Sequence, residues 1–201
     1  MAKVKICGLS RLEDIAAVNL ILPDYVGFIF AKSRREIDEK AAAALKEQLD
    51  PHIKTVGVFV NAGIEVIASL YHQGIIDIAQ LHGDEDSGYL KLLKECLPAL
   101  PLIKAVGIGN ELPVLPKNAD YLLFDTLSHD RGGTGKSFDW DLLRNYSGLP
   151  YFLAGGLNIG NASKAVKTLN PFCVDVSSGV ETDGLKDADK IREFVRRVRE
   201  C

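Results

Sequence analysis

Eight short apolar runs alternate with helix-like stretches along the chain, and this alternation limits the fold more than any other feature. The strand-like runs are Val4–Cys7, Tyr25–Phe30, Thr55–Val60, Ile76–Leu81, Leu102–Val106, Tyr121–Asp125, Tyr151–Ala154 and Cys173–Val176. Amphipathic stretches lie between most of them, such as Asp38–Leu49, Ile64–Gln73, Gly88–Cys96, Ala162–Leu169 and Ala188–Arg199. Strands that alternate with helices form βαβ units and a parallel sheet. Because eight such units leave no spare segment, the sequence predicts an α/β fold, a closed (β/α)₈ (TIM) barrel rather than an open sheet.

Two further patterns agree with a barrel. Val26–Phe30 and Val56–Val60 are similar and start 30 positions apart, which is about the length of one βα unit. Both are interpreted as well-packed barrel strands. The helix after Val106 is the weakest, because Pro113 and Pro116 leave room for about one turn. No linker or low-complexity segment separates the halves, so residues 1–201 are predicted to form a single domain.

The bulk composition excludes several classes of protein. Of 201 residues, 47% are hydrophobic and 25% charged, as in an ordinary globular domain. A net charge of −3 argues against nucleic-acid binding by bulk electrostatics. No stretch approaches the length of an apolar membrane span. The first residues carry no apolar block of the signal-peptide type, so we expect a cytoplasmic protein.

The four cysteines are widely separated and form no CxxC pair. This spacing favours free thiols in a reducing compartment over a zinc site or a disulfide framework. Cys96 and Cys173 are interpreted as small buried hydrophobic residues, and Cys201 as a frayed terminal residue. Cys7 differs because it ends the first predicted strand.

Three glycine-rich segments follow or end the late apolar runs. They are Gly132-Gly133-Thr134-Gly135, Ala154-Gly155-Gly156-Leu157 and Ser177-Ser178-Gly179-Val180. Glycines let backbone N–H groups approach an anion closely, and phosphate sites in (β/α)₈ barrels lie in the loops after the late strands. The segments therefore predict a phosphorylated small-molecule ligand, although tight turns without a ligand would need the same residues.

Polar residues at the carboxyl ends of barrel strands point into the active site. Here these are Cys7, Gln80, Asp125 and Asp175, with Arg35 in the loop after the second strand. A thiolate near positive groups is a competent general base, and a carboxyl in an apolar barrel mouth can keep its proton as a general acid. Taken singly, Cys7 is more often a buried small residue and Asp125 a cap. Their joint placement at one end of one fold favours catalysis.

Several motifs, in order, resemble those of phosphoribosylanthranilate isomerase, a (β/α)₈ enzyme of tryptophan biosynthesis. They are Lys5-Ile6-Cys7-Gly8-Leu9, Gln80-Leu81-His82-Gly83, Phe124-Asp125, Gly132-Gly133-Thr134-Gly135-Lys136 with Phe138, Ala154-Gly155-Gly156-Leu157 and Asp175-Val176-Ser177-Ser178-Gly179-Val180-Glu181. The resemblance runs from Lys5 to Glu181 and includes every strand end. The first and last of these motifs make it specific.

The resemblance implies an Amadori rearrangement of N-(5'-phosphoribosyl)anthranilate to 1-(2-carboxyphenylamino)-1-deoxyribulose 5-phosphate. It implies that Asp125 is the general acid and Cys7 the general base, with no metal or organic cofactor. It places Arg35 at the anthranilate carboxylate, Asp175 near the sugar and the anthranilate amine, and Gln80 at the wall of the sugar site. The implied phosphate site is formed by the backbone around Gly133, Gly135, Gly155, Gly156, Ser178 and Gly179.

Some alternatives stay open. Arg34 stands where the family usually has proline, so either Arg34 or Arg35 could reach the carboxylate; Ser10 replaces a common threonine. A sister sugar-phosphate isomerase would typically use two carboxylates, which Cys7 argues against. A non-catalytic phosphate-binding barrel would have lost the acid or the base, and a metal-dependent epimerase would need histidines at strand ends, where only His82 lies near one. The sequence leaves monomer and homodimer equally open.

Overall fold

The computed structural model describes residues 1–127 and 138–201, and within them eight parallel strands close into a barrel. The strands are β1 (Lys3–Cys7), β2 (Tyr25–Ile29), β3 (Lys54–Phe59), β4 (Ile78–Leu81), β5 (Leu102–Ile108), β6 (Tyr121–Thr126), β7 (Tyr151–Leu153) and β8 (Cys173–Val176). Each strand pairs with the next along the chain, and β8 closes on β1 with Lys5 opposite Asp175. The predicted closed barrel is confirmed.

Helices cover the outside of the barrel. They are α1 (Leu12–Ile21), α2 (Glu39–Glu47), α3 (Ile64–His72), α4 (Ser87–Cys96), α5 (Ala162–Leu169) and α6 (Ala188–Arg199). Short 3₁₀ helices span Trp140–Leu143 and Ser178–Val180, and a hairpin of β9 (Glu181–Thr182) and β10 (Leu185–Lys186) follows β8. Within the parts of the chain just given, no helix is both long and apolar enough to cross a membrane.

Side-chain caps set the starts of α2 and α4, as Asp187 also does for α6. Asp38 accepts a hydrogen bond from the Ala41 N–H at 2.7 Å and Asp86 accepts one from the Tyr89 N–H at 2.8 Å. Asp38, predicted as the first helical residue, is therefore the cap of α2. β4 begins at Ile78 rather than at the predicted Ile76, because the N–H groups of Ile75 and Ile76 donate to the carbonyl of Leu70 at the end of α3.

The helix α1 has no counterpart among the predicted stretches. It buries Asp14, Ile15 and Val18 but leaves Leu12 and Leu20 exposed, so its apolar pattern is blurred. The Asp14 carboxylate caps it instead by accepting from the N–H groups of Ser10 and Arg11 at 3.0 and 3.1 Å. Local electrostatics thus define the start of this helix.

Residues 109–120, all within the described part, contain no helix, so even the single turn that Pro113 and Pro116 left room for does not form. The expectation for the cysteines is half right. Cys173 is buried in the barrel, but Cys96 is exposed, since α4 turns Leu90 and Leu93 toward the core and leaves its end in solvent.

The core has two layers. A larger cluster lies between strands and helices, and a smaller one fills the barrel with side chains from β2 to β8: Tyr25, Val56, Ile78, Ile103, Leu123, Phe152, Ala154 and Cys173. Side chains two positions apart share one face of a strand. Stepping two residues from Ile78, Leu123 and Cys173 toward the carboxyl ends reaches Gln80, Asp125 and Asp175. The inner core therefore ends in a polar layer at the barrel mouth.

Candidate active site

A buried lysine joins two of the predicted site residues across the barrel. Lys5 has no exposed surface, and its Nζ donates to Asp175 Oδ2 at 2.9 Å and to Gln80 Oε1 at 2.8 Å. Burial alone would lower its pKa, but the charges of Asp175 and Cys7 outweigh burial and raise it. Lys5 is therefore a fixed positive charge under the site. Its role could not be predicted from the sequence, because its partners lie 75 and 170 positions away.

A histidine extends this contact to the predicted acid. Gln80 Nε2 lies 3.0 Å from His82 Nδ1, and His82 Nε2 lies 3.6 Å from Asp125 Oδ2. Burial, Lys5 and Lys104 lower the pKa of His82 to about 4, so the imidazole is neutral near pH 7. His82 lies near a strand end in the sequence, but no motif there assigns it a role.

Asp125 binds its proton more tightly than an ordinary aspartate does. Burial raises its pKa to about 6, with a further contribution from Asp175, although the Thr126 N–H donates to Oδ1 at 2.7 Å and Lys5 acts in the opposite direction. About a third of the side chain stays exposed (33%), so a ligand in the barrel mouth can reach it. These properties match those of a general acid at neutral pH.

Cys7 lies in a more enclosed place. Its thiol is buried, and an added Cβ on the paired Gly27 would lie 2.7 Å from its Sγ, so glycine at that position makes room for the sulfur. Burial raises the pKa of Cys7, and the charges of Lys5 and Lys186 only partly oppose that rise. The positive groups that a thiolate base needs are present, but they do not bring the pKa of the ligand-free thiol below its ordinary value.

One carboxylate holds the cations beside Cys7. Glu181 Oε1 accepts from Arg35 Nε and from Lys186 Nζ, both at 2.6 Å, and Oε2 accepts from Arg35 Nη2 at 2.9 Å. Lys186 also donates to the Ser177 carbonyl at 3.0 Å, and Ser177 Oγ donates to the Cys7 carbonyl at 3.0 Å. Burial acts to raise the pKa of Glu181, but the hydrogen bonds from Arg35 and Lys186 outweigh it and lower the pKa. Glu181 was only part of a motif in the sequence, and Lys186 gave no signal at all.

The structure separates the two candidate arginines. Arg35 packs on Gly8, the neighbour of Cys7: a Cβ on Gly8 would lie 2.5 Å from Arg35 Cδ. Arg34 is 58% exposed and reaches Glu181 Oε2 from outside, beside Gly184 in the turn between β9 and β10. Arg35 is therefore the arginine that lies next to the site.

The loops after β7 and β8 pack on each other. Gly155 and Gly156 both have positive φ (81° and 68°), and a Cβ on Gly179 would collide with the Leu157 carbonyl oxygen. Glycine favours these positive φ values, and at Gly179 it alone avoids the collision with the Leu157 carbonyl. Asn161 Nδ2 fixes the first loop by donating to the Gly156 carbonyl at 3.0 Å. Two of the three predicted glycine segments thus lie together, with Ser178 in the second.

The third glycine segment, with Gly133 and Gly135, lies outside the described residues. Within residues 1–127 and 138–201, no three His, Cys, Asp or Glu side chains lie close enough together to hold a metal ion. Cys7, Gln80, Asp125 and Asp175 all lie at the mouth of the barrel, where β1, β4, β6 and β8 end.

Comparison with known proteins identifies the family. The family model for N-(5'-phosphoribosyl)anthranilate isomerase matches residues 4–197. The enzyme of that name from Endomicrobium trichonymphae is 50% identical over 200 residues, which cover 99% of both chains. The crystal structure of phosphoribosyl anthranilate isomerase from Thermotoga maritima superposes with a TM-score of 0.86 at 36% identity, covering 100% of both chains. A structure of such an isomerase in complex with reduced 1-(o-carboxyphenylamino)-1-deoxyribulose 5-phosphate gives a TM-score of 0.82 at 34% identity, again over 100% of both chains. The chain therefore belongs to the N-(5'-phosphoribosyl)anthranilate isomerase family.

Proposed function

We propose that this chain isomerises N-(5'-phosphoribosyl)anthranilate to 1-(2-carboxyphenylamino)-1-deoxyribulose 5-phosphate, with Asp125 as general acid and Cys7 as general base. The observation that carries the proposal is the polar layer at the barrel mouth. There, a carboxyl with a pKa of about 6 and a thiol beside two ammonium groups lie at the ends of β6 and β1. These strands are separated by β7 and β8, so the two groups face each other across the space where a sugar would bind.

Ring opening is the first step. Asp125 donates its proton to the furanose ring oxygen while the C1–O bond breaks, and the anthranilate nitrogen lone pair forms a protonated C=N bond. The carboxylate left on Asp125 accepts from the Thr126 N–H, which stabilises it. The raised pKa of Asp125 supports this role because it leaves far more of the acid protonated near neutral pH than a carboxyl with an ordinary pKa would be.

Proton abstraction follows. The Cys7 thiolate removes the proton from C2, the C–H electrons form a C1=C2 bond, and the C=N electrons return to nitrogen. The resulting enolamine then tautomerises to the ketone. Since burial raises the pKa of Cys7, the thiolate depends on Lys5 and Lys186 for its stabilisation.

The substrate's fixed groups have partners around the same mouth. Arg35 is assigned to the anthranilate carboxylate, because a guanidinium suits a planar anion and the stem of this side chain packs on Gly8, the neighbour of Cys7. Asp175 Oδ1 is buried and has no hydrogen-bond partner among the described residues, so it is suited to accept from the anthranilate amine or a sugar hydroxyl. Gln80 forms part of the wall between them.

The phosphate is assigned to the loops after β7 and β8. Gly155, Gly156, Ser178 and Gly179 leave backbone there without bulky side chains, as a bound phosphate requires. Gly133 and Gly135 are proposed to complete the site. We further propose that residues 1–201 form one domain and act in the cytoplasm, which the pairing of β1 with β8 and the free cysteines support.

Turnover of freshly generated phosphoribosylanthranilate, followed by the loss of its fluorescence, tests the assignment. Cys7→Ala and Asp125→Ala should each lower turnover by roughly a hundredfold or more while the circular dichroism spectrum stays unchanged. Cys96→Ala, which removes an exposed thiol at the end of α4, is the matched control and should turn over normally. Near-normal turnover by either site variant would contradict the acid–base pair. No turnover by the wild type would favour a sister sugar-phosphate isomerase or a non-catalytic barrel.

A further inference from the structure

The proposed mechanism leaves Gln80 and His82 without a chemical role, although they link Lys5 to the acid. The contacts run from Lys5 Nζ to Gln80 Oε1 (2.8 Å), from Gln80 Nε2 to His82 Nδ1 (3.0 Å), and from His82 Nε2 to Asp125 Oδ2 (3.6 Å). Gln80 is 1% exposed and Lys5 has no exposed surface, so water has little access to the first of these contacts.

Chemistry fixes the direction of each contact. An ammonium group has only donors, so Lys5 can bind Gln80 only through the amide oxygen. The Gln80 NH₂ group must then face His82, and because it can only donate, Nδ1 must be the accepting nitrogen. A neutral imidazole with a bare Nδ1 carries its proton on Nε2, which is the nitrogen nearest Asp125.

We propose that Gln80 is a positioning residue that holds His82 in the Nε2–H tautomer, so that the imidazole donates toward Asp125 Oδ2 as this carboxyl loses its proton. The inference rests on the proposed role of Asp125 as general acid. The Nε2–Oδ2 distance of 3.6 Å is longer than a hydrogen bond, and contacts of this kind tighten when substrate binds. The donor interacts more strongly with the carboxylate than with the acid, so it lowers the barrier to proton donation.

The neutral state of His82 matters as much as its tautomer. An imidazolium beside Asp125 would lower the pKa of the carboxyl and leave less of the acid protonated before substrate binds. Burial opposes the protonation of His82 most strongly, and the charges of Lys5 on β1 and Lys104 on β5 act in the same direction. Asp175 on β8 and Glu85 after β4 favour protonation, but their effect is smaller, so the imidazole stays neutral. The site thus offers Asp125 a hydrogen-bond donor without a full positive charge.

The tautomer can be read by nitrogen NMR of the ¹⁵N-histidine-labelled protein at pH 8, with the signal of His82 among the four histidines assigned by its loss in His82→Ala. Wild type should show a bare Nδ1 and a protonated Nε2. In Gln80→Glu the new carboxylate accepts from Lys5 and can only accept from His82, so Nδ1 should become protonated. A protonated Nδ1 in wild type, or a bare Nδ1 in Gln80→Glu, would overturn the proposal whatever the role of Asp125.

Kinetics supply the second readout. Gln80→Glu and His82→Ala should each lower kcat by roughly 10- to 100-fold, as expected for losing one donor to a developing charge. Gln80→Glu in the His82→Ala background should cost little more, because Gln80 acts through His82. Losses that multiply would refute that coupling. Gln48→Glu, which changes an exposed glutamine after α2, is the matched charge control.

A second variant keeps the tautomer test open if Gln80→Glu does not fold. Gln80→Met should show His82 in mixed tautomers, and a single wild-type tautomer in that variant would also refute the proposal. Normal turnover by Asp125→Ala would instead show that Asp125 is not the general acid, and the NMR result on the His82 tautomer would still stand.

Discussion

Replacing the proposed acid should make the protein more stable, and only above a defined pH. Asp125 has an ordinary pKa of 3.8 in the unfolded chain and about 6 in the folded one, because burial disfavours its charge. The folded state therefore binds the proton more tightly, and the unfolding free energy falls as the pH rises from about 4 through about 6. Asp125→Asn removes this dependence, since an amide stays neutral at every pH.

The size of the gain follows from the pKa difference. At 1.36 kcal/mol per pKa unit, a rise from 3.8 to about 6 corresponds to roughly 3 kcal/mol. A third of the side chain is exposed and solvent screens that part, so we expect Asp125→Asn to raise the unfolding free energy by about 1–2 kcal/mol at pH 7.5. Near pH 4 the two proteins should be equally stable.

Urea unfolding of wild type and Asp125→Asn between pH 4 and pH 8 measures this difference. The matched control is Asp141→Asn, an exposed aspartate in the first 3₁₀ helix, which should change stability by less than about 0.5–1 kcal/mol. A gain that is the same at every pH, or a loss at pH 7.5, would show that burial does not raise the pKa of Asp125.

Three more substitutions test the other parts of the site. Lys5→Met should lower the unfolding free energy measured in urea by about 3–5 kcal/mol, because it leaves the buried carboxylate of Asp175 without its partner. Combining it with Asp175→Leu should recover most of the loss. If Lys5→Met alone were as stable as wild type, the buried ion pair would be contradicted. Arg35→Ala should raise KM roughly tenfold or more, and Arg34→Ala only slightly, because Arg34 is the more exposed of the two. Equal effects on KM would mean that Arg34 also reaches the anthranilate carboxylate. Gly155→Ala should destabilise the protein by at least about 1–2 kcal/mol in the same assay, since alanine is strained at a φ of 81°, and an unchanged midpoint would refute that constraint.

The strand ends were predictable because they depend on local periodicity. Apolar residues of the inner barrel face repeat every second position, so Ile78 leads to Gln80 and Leu123 leads to Asp125 without knowledge of any other strand. The glycine loops were equally local, because a φ of 81° at Gly155 favours glycine whatever surrounds it. These local features predicted the barrel and the position of its mouth.

The electrostatic partners could not be predicted in the same way. Lys5 is one charged residue between Val4 and Ile6, and its burial makes sense only beside Asp175, which comes 170 positions later. Glu181 meets Arg35 across a gap of 146 positions, although its other partner, Lys186, follows only five positions later. A short window of sequence does not contain both members of a distant pair, so closure of the barrel decides which of these charges meet.

Burial has opposite consequences for the two proposed catalytic groups. It raises the pKa of Asp125 toward neutrality, which suits a general acid, but it also raises the pKa of Cys7, which a general base must overcome to lose its proton. Lys5 and Lys186 both act on the thiol, whereas of these two only Lys5 acts on the acid, which faces a neutral imidazole. A second cation at the acid would lower its pKa further, and a site without cations would leave the thiol inert. The uneven distribution of charge around one buried mouth is therefore what allows an acid and a base to work there at the same pH.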